Sequence, residues 1–552
     1  MSSRIRKEIE NTKFDVVVIG GGIIGAGIAR DAALRGLRVA LFEQNDFSSG
    51  TTSGSTRLIH GGLRYLEMLD FRLVRMDLRE RETLLRIAPH LVRPLQFFMP
   101  FYSRSPFYRL KMRLGMILYD ALSFDKSLPR RRYLSADELR ALEPHLRADN
   151  LQGASGFFDA QVNSPERLCL ENILSARENG AAAFSYAEVT AALRFGRSII
   201  GVRVRDLLED DEIEIRSRMV VNAAGPWVDR LAARLTPNWR RRIRTTKGIH
   251  IACPPICRHA MALFSPVDGR LFFVIPWLSY TWVGTTDTDF ADDPGSARAD
   301  GSDVQYLLDS ASAYFPEIAA SPILFSNAGI RALVKEKGDE SSISRMHRMV
   351  DGEREGTPGL ITVLGGKITG YRAIAEEVTN LICRKLKHRR PCLTAVTPLP
   401  GAQGAALISE PAPVGRKTLD HLVALYGSRA SDVLALASSD GRLKEPLAPD
   451  YPDIAAQVVF AVRAEQCLQV LDFIERRTLL GFTPDQGRKA LPGVISWMSR
   501  ELAWSTARET GQVESYEQRR QQTQKFAEEL KRPVPLRAGR RSKIIPPQTC
   551  FY

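Results

Sequence analysis

The sequence predicts an α/β fold followed by a C-terminal all-helical domain, and three observations predict it. A strand, a glycine turn and a helix follow one another from Phe14 to Leu34. Aromatic and β-branched segments of strand character recur at residues 270–287, and beyond a stretch rich in proline and glycine at 396–417 the apolar period becomes helical.

The first element is Val16 to Ile19, an apolar β-branched run closed by Gly20, and Ile23 to Leu34 carries small and apolar residues at helical spacing. Gly20, Gly22 and Gly25 read G-x-G-x-x-G. The first allows the tight turn, the second lets backbone N–H groups approach a pyrophosphate, and the third lets helix and strand pack closely. A second strand, Val39 to Phe42, ends in Glu43, 21 positions after Gly22. A carboxylate there accepts hydrogen bonds from ribose hydroxyls and repels a 2′-phosphate. The unit therefore reads as a Rossmann-type site for an adenine dinucleotide, FAD or NAD rather than NADP.

Next comes SSGTTSGSTRLIHGGLRYLE, residues 48–67, a loop of hydroxyls and glycines that runs into an apolar helix start and could complete a diphosphate and ribityl cradle. Phe107 to Leu122 alternates cations with Leu, Met, Ile and Tyr. It is either a packed helix with snorkelling Lys and Arg or a surface that dips into a bilayer interface. VVNAAGPWVD (220–229) reads as a strand followed by a turn that packs against an adenylate-bearing loop. RLFFVIPW (270–277) and YTWVGTTD (280–287) read as strands of an antiparallel substrate domain. VLGGKITGY (363–371) is a strand, a double glycine and a helix start, whose free N–H groups would favour the anionic edge of a reduced flavin.

After the 396–417 linker, Leu419, Leu422, Val423 and Tyr426 share a helix face and Gly427 closes the helix. Further helices are expected from about Ile454 to Arg477 and from Val494 to Trp504.

The 552 residues, 44% of them hydrophobic, are enough for two or more domains. Seven scattered cysteines suggest a reducing compartment without a disulfide framework, and neither they nor the eight histidines show paired metal-ligand spacing. No apolar run reaches the roughly 18 residues of a membrane span. The 13 residues before Phe14 hold no apolar segment, so neither a secretory signal nor a transit peptide is expected there. The net charge is +14, and Lys531 to Lys543 holds six uncompensated positives, which reads as a disordered basic tail that is solvated or drawn to anionic lipid or nucleic acid.

The motifs SSGTTSGSTRLIHGGLRYLE, NAAGPWVD, TKGIHI, RLFFVIPW, GTTD and LGGKITGY occur in the order found in the FAD-dependent glycerol-3-phosphate dehydrogenases, which the chain resembles from residue 14 to about 520. LYGSRASDVL (425–434), AVRAEQCLQVLDFIERRTLL (461–480) and WMSRELAW (497–504) are similar to that family's helical cap, which the simpler D-amino acid and glycine oxidases lack. The resemblance implies a D-amino acid oxidase-like domain at 14–395. Its FAD-binding pieces would be about 14–75, 150–245 and 355–390, interleaved with substrate-domain pieces at about 76–149 and 246–354. A helical domain at 418–525 and the tail at 526–552 complete the division.

The implied reaction is oxidation of sn-glycerol 3-phosphate to dihydroxyacetone phosphate, with a hydride passing to FAD and electrons leaving to membrane ubiquinone or menaquinone. The resemblance also implies a homodimer on the anionic cytoplasmic face of the inner membrane, with nucleic acid an unlikely partner. FAD contacts are expected at Gly20, Gly22, Ile23, Ile24, Gly25, Glu43 and Gln44, and at Thr51, Thr52, Ser53, Ser55, Leu58, Ile59, His60 and Gly61. Val189, Ala224, Gly225, Gly366, Lys367 and Ile368 complete the set. Around the substrate the resemblance implies Arg64, Tyr65 and Lys367, with Arg331 beside the reacting oxygen and Arg270 joining Arg64 and Lys367 on the phosphate. His250 is the candidate base, with a core histidine satisfied by backbone as the alternative reading. Two departures from the family pattern stand out: Arg331-Ala332-Leu333 where Arg-Pro-Leu is usual, and Gly370 where a threonine is usual. The rival readings are an amino acid oxidase of the same fold and a lipid- or nucleic-acid-binding flavoprotein.

Overall fold

The computed structural model describes residues 4–9, 12–67, 70–102, 106–335, 347–404, 412–449 and 451–530, without the side chains of residues 64, 67 and 106–109. The basic tail from residue 531 onward and part of the 396–417 linker lie outside the described residues.

Strands Leu360–Leu364, Asp211–Asn222, Phe14–Ile19, Val39–Phe42 and Ala182–Phe184 run parallel in that spatial order. Arg348–Asp351 adds an antiparallel edge, and a meander of Ala187–Phe195 and Ser198–Asp206 extends from Asp211–Asn222. The strand period of two sorts the first strand onto two cores. Val16 and Val18 pack under helices Ile23–Leu34, Pro165–Glu178 and Tyr371–Leu386, while Val17 and Ile19 face Ile5, Ile9 and the meander.

The second sheet has ten strands and is antiparallel throughout except where Ala260–Phe264 pairs parallel with Val92–Phe101. Leu271–Trp277 and Tyr280–Gly284 form the expected hairpin. Two boundaries differ from expectation. Leu58–Ile59 and Gly153–Val162, expected in the FAD-binding pieces, belong to this second sheet. Ala332, where a proline is usual, sits in strand Phe325–Val334 opposite Thr245, so the departure leaves a regular ladder there.

The helical domain has its own core, built on Leu422, Tyr426, Val433, Val458, Phe473, Val494 and Met498. Gly427 closes helix Arg416–Tyr426 with φ +59, as expected. The long helix expected to Arg477 is broken instead. Ala455–Glu465 stops at Gln466 in the left-handed region, and Asp472 then accepts from Leu468 and Gln469 N–H to start a new turn. That break turns Arg476 and Arg477 onto buried Asp46, at 2.5 and 2.7 Å, which ties the helical domain to the loop after strand Val39–Phe42. Residues 526–530, expected in the disordered tail, form helix Phe526–Leu530, and Phe526 is buried against helix Gly301–Ser312 in the substrate-domain core.

Candidate functional site

One cavity of about 660 Å³ opens at the carboxyl ends of the parallel strands and continues onto the second sheet, the position and size at which such folds take a ligand. One end is lined by Phe42, Glu43, Gln44 and Val189. The middle is lined by Gly20, Gly22, Ile23, Ile24, Thr51, Thr52 and Ser55, and the far end by Leu58, His60, Tyr65, Arg270, Arg331 and Gly366 to Ile368.

Gly20 and Gly25 meet the turn and packing demands assigned to them. Gly20 has φ +109, and a Cβ there would stand 2.6 Å from the Ala223 carbonyl oxygen; a Cβ at Gly25 would stand 1.9 Å from that of Gly20. Gly22 precedes the helix without a side-chain cap, while Thr52 Oγ1 accepts from Ile23 N–H at 3.1 Å. Glu43 accepts from Gly21 N–H at 2.7 Å and Asn45 N–H at 2.9 Å, and burial raises its pKa. A helix start with no side chain from its own N-cap residue, a glycine turn packed too closely for a Cβ at Gly20 or Gly25 and a half-buried carboxylate together fit a dinucleotide such as FAD. Gly366, at φ +109, lets the 365–369 loop lie against Ile24 and Ile374, so the Lys367 loop and the diphosphate helix meet.

At the far end, Arg331 donates to Thr285 Oγ1 at 2.7 Å and to Asp287 Oδ1 at 3.2 Å, and Gly248 on the neighbouring strand leaves room for its guanidinium. Arg270 donates to the Asp287 carbonyl at 2.6 Å and pairs with Asp268. Lys367 Nζ stands 3.9 Å from the centre of the Tyr65 ring and donates to Asp77, a fully buried carboxylate. Three cations and an aromatic ring thus converge on one end of the cavity, a setting for an anionic substrate group. The Arg64 side chain lies outside the described residues.

Not every expected residue lines the cavity. Gly25 packs on the Gly20 turn. Ser53 turns to the Ser48 carbonyl, and Ile59 and Gly61 are buried behind His60 and Gly62. His250 corrects the base assignment. It is 1% exposed and stacks on Trp282 at 5.2 Å, and Thr56, hydrogen-bonded to its Nε2 at 3.0 Å, lines the cavity in its place. Burial, together with Arg331 and Arg57, pushes the His250 pKa down to about 3. It is the core histidine of the alternative reading, but not one satisfied by backbone: its Nε2 meets the Thr56 hydroxyl, and its Nδ1 is buried without a hydrogen-bond partner.

Thr56, Trp227, Phe273, Thr285 and Asp287 line the cavity without having been singled out. The strand period places Phe273 on the same face as Leu271. Asp77 carried a signal as well, being a charged residue on the Leu73, Val74, Leu78 face of helix Phe71–Ile87.

Comparison with known proteins agrees with this geometry. The FAD dependent oxidoreductase family matches residues 15–380, and the C-terminal domain of alpha-glycerophosphate oxidase matches residues 392–509. A glycerol-3-phosphate dehydrogenase of Synechocystis sp. is 40% identical over 533 residues, 92% of this chain and 96% of that one. Glycerol-3-phosphate dehydrogenase 2 of Mycobacterium bovis is 36% identical over 92% of this chain and 88% of its own. The crystal structure of the glycerol-3-phosphate dehydrogenase from Bacillus halodurans complexed with FAD superposes with a TM-score of 0.75, at 29% identity, covering 94% of this chain and 96% of that one.

Proposed function

The chain belongs to the FAD-dependent glycerol-3-phosphate dehydrogenases, and from that premise we propose that it oxidises sn-glycerol 3-phosphate to dihydroxyacetone phosphate and passes the electrons to membrane ubiquinone or menaquinone. The observation that carries the reading is the single cavity joining the dinucleotide cradle to the Arg270, Arg331, Lys367 and Tyr65 end. When bound, FAD supplies the hydride acceptor and the two-electron carrier. The protein's own groups do the rest. Lys367 and Arg270, with Arg64, take the phosphate dianion. Arg331, held by Thr285 and Asp287, faces the C2 oxygen as charge develops on it, where an oriented guanidinium lowers the barrier most. His250 is a positioning residue that fixes the Thr56 hydroxyl. An amino acid substrate would need one arginine for its carboxylate; several cations suit a phosphate ester better.

The acceptor reading rests on helix Pro106–Leu122. Leu110 and Leu114 are each 55% exposed, and Ile117, Leu118 and Phe124 are also exposed, while Met116 and Tyr119 on the other face are buried. Spacing of i, i+4, i+7 and i+8 makes one apolar stripe, flanked by exposed Arg113, Arg130 and Arg132. Such a stripe lies in a bilayer interface and its cations suit anionic lipid. Among the described residues no helix is long and apolar enough to cross a membrane. Peripheral attachment through this stripe is therefore proposed, with the cytoplasmic leaflet and a homodimer carried over from the family resemblance.

Holoenzyme on phosphatidylglycerol-containing vesicles loaded with ubiquinone should form one quinol per dihydroxyacetone phosphate. Product formation with a soluble dye but none with vesicle quinone would refute the acceptor.

A further inference from the structure

The proton that leaves the substrate's C2 hydroxyl needs an acceptor, and Asp287, the carboxylate beside Arg331 at that end of the cavity, is already paired with the guanidinium. Arginines stay protonated and His250 does not reach the cavity. The group in direct contact with Lys367 is Asp77, on helix Phe71–Ile87. Its side chain has no exposure; one carboxylate oxygen accepts from Lys367 Nζ, and the other is buried with no hydrogen-bond partner. A buried carboxylate oxygen left empty is unusual and costly, and a carboxylic acid could hold its proton there. Gly370 faces that oxygen without offering a donor, a Cβ there standing 3.4 Å from Oδ1.

The charges around Asp77 favour uptake of a proton. Glu80 on the same helix is paired with Arg372 from helix Tyr371–Leu386, and Asp159 on strand Gly153–Val162 is paired with Arg81 and Tyr119. Both neighbouring carboxylates therefore have partners of their own, and Asp77 has Lys367 alone. Burial, opposed by Lys367 and reinforced by Glu80 and Asp159, raises its pKa to about 6.

We propose that Asp77, acting through Lys367, takes up the proton released from the C2 hydroxyl of glycerol 3-phosphate. Nζ gives one of its protons to the Asp77 carboxylate, and the lone pair so freed takes the C2 hydroxyl proton as the O–H bond breaks. The C2 hydrogen leaves with its electron pair to the bound flavin, which is reduced as the alcohol becomes a ketone. Lys367 carries its charge before and after the relay, so it still faces the anionic substrate once Asp77 is neutral. Proton release to solvent then follows through Lys367, which contacts Asp77 and lines the cavity. This inference rests on the cavity being the glycerol 3-phosphate site.

Two measurements test it. In holoenzyme carrying 13C-carboxyl aspartate, anaerobic substrate addition should produce an infrared carboxylic-acid band that shifts with the label, and D77N should lack it. In stopped flow, flavin reduction by D77N should slow by about a hundredfold, the scale of general base catalysis, with substrate affinity little changed. The wild-type rate should fall as pH drops through about 6, because the carboxylate form is required. Since a phosphate ester also gains a proton near this pH, the comparison that counts is the limb lost between wild type and D77N. A wild-type flavin that bleaches without the labelled band, or D77N reduced at the wild-type rate with the same acid limb, overturns the inference alone. The infrared result on wild type decides the matter even if D77N fails to hold FAD. A wild-type flavin that glycerol 3-phosphate does not bleach overturns the reading of the cavity beneath it.

Discussion

Replacing Gly25 with alanine should uncouple cofactor binding from folding. A Cβ at Gly25 would stand 1.9 Å from the Gly20 carbonyl oxygen, where real contacts stay above 3.0 Å. The partner is backbone of the glycine turn, itself fixed by Gly20 N–H donating to Phe42 O at 2.9 Å. The helix must therefore back away by at least about 1.1 Å, the difference between the two distances. Its first N–H groups move with it, and a charge-assisted hydrogen bond of normal length stretched that far is lost. Two such bonds at ~1.5–3 kcal/mol each make about 3–6 kcal/mol, or roughly a 10²- to 10⁴-fold weaker FAD complex. Gly115→Ala, on helix Pro106–Leu122 with nothing within 4 Å of its added Cβ, is the control. FAD retained after exhaustive dialysis, read by the flavin-to-protein absorbance ratio, should fall for G25A and stay unchanged for G115A. G25A with wild-type FAD affinity would refute the helix as the diphosphate site.

Three further outcomes follow from the same contacts. His250 stays neutral when folded but binds a proton near pH 6.5 when unfolded, so its contribution to stability is present above pH 6.5 and lost as pH falls toward 3. Between pH 7.5 and 5 the loss should be about 2 kcal/mol, and H250Q should flatten that part of a urea-unfolding series. Arg477→Met should cost about 3 kcal/mol in thermal unfolding, because buried Asp46 loses one of its two cations; adding Asp46→Asn should recover part of it. Leu110→Asp with Leu114→Asp should abolish co-sedimentation with anionic vesicles while leaving soluble-dye turnover within twofold.

Locally encoded features of the fold were legible in the sequence. The Gly20, Gly22, Gly25 turn, Glu43 at the end of its strand and the helix start after Gly370 each follow from a few neighbouring residues. Local pattern could not say which strand residues reach the cavity. His250 lies on a strand in a motif-rich region, yet only the folded chain shows Thr56, 194 residues away, capping it. The Asp77–Lys367 contact spans 290 residues, so the sequence could mark Asp77 as a misplaced charge on an apolar face but not supply its partner. The break after Glu465 was hidden for a similar reason: Arg476 and Arg477 look like ordinary helix cations until Asp46, 430 and 431 residues earlier, is brought beneath them.

The most direct test of the central claim is an anaerobic absorbance spectrum of the purified holoenzyme before and after sn-glycerol 3-phosphate, with glycerol and D-alanine as controls. Flavin bands that bleach with the phosphate ester alone are the predicted result. Bleaching by D-alanine, or by none of the three, would contradict it.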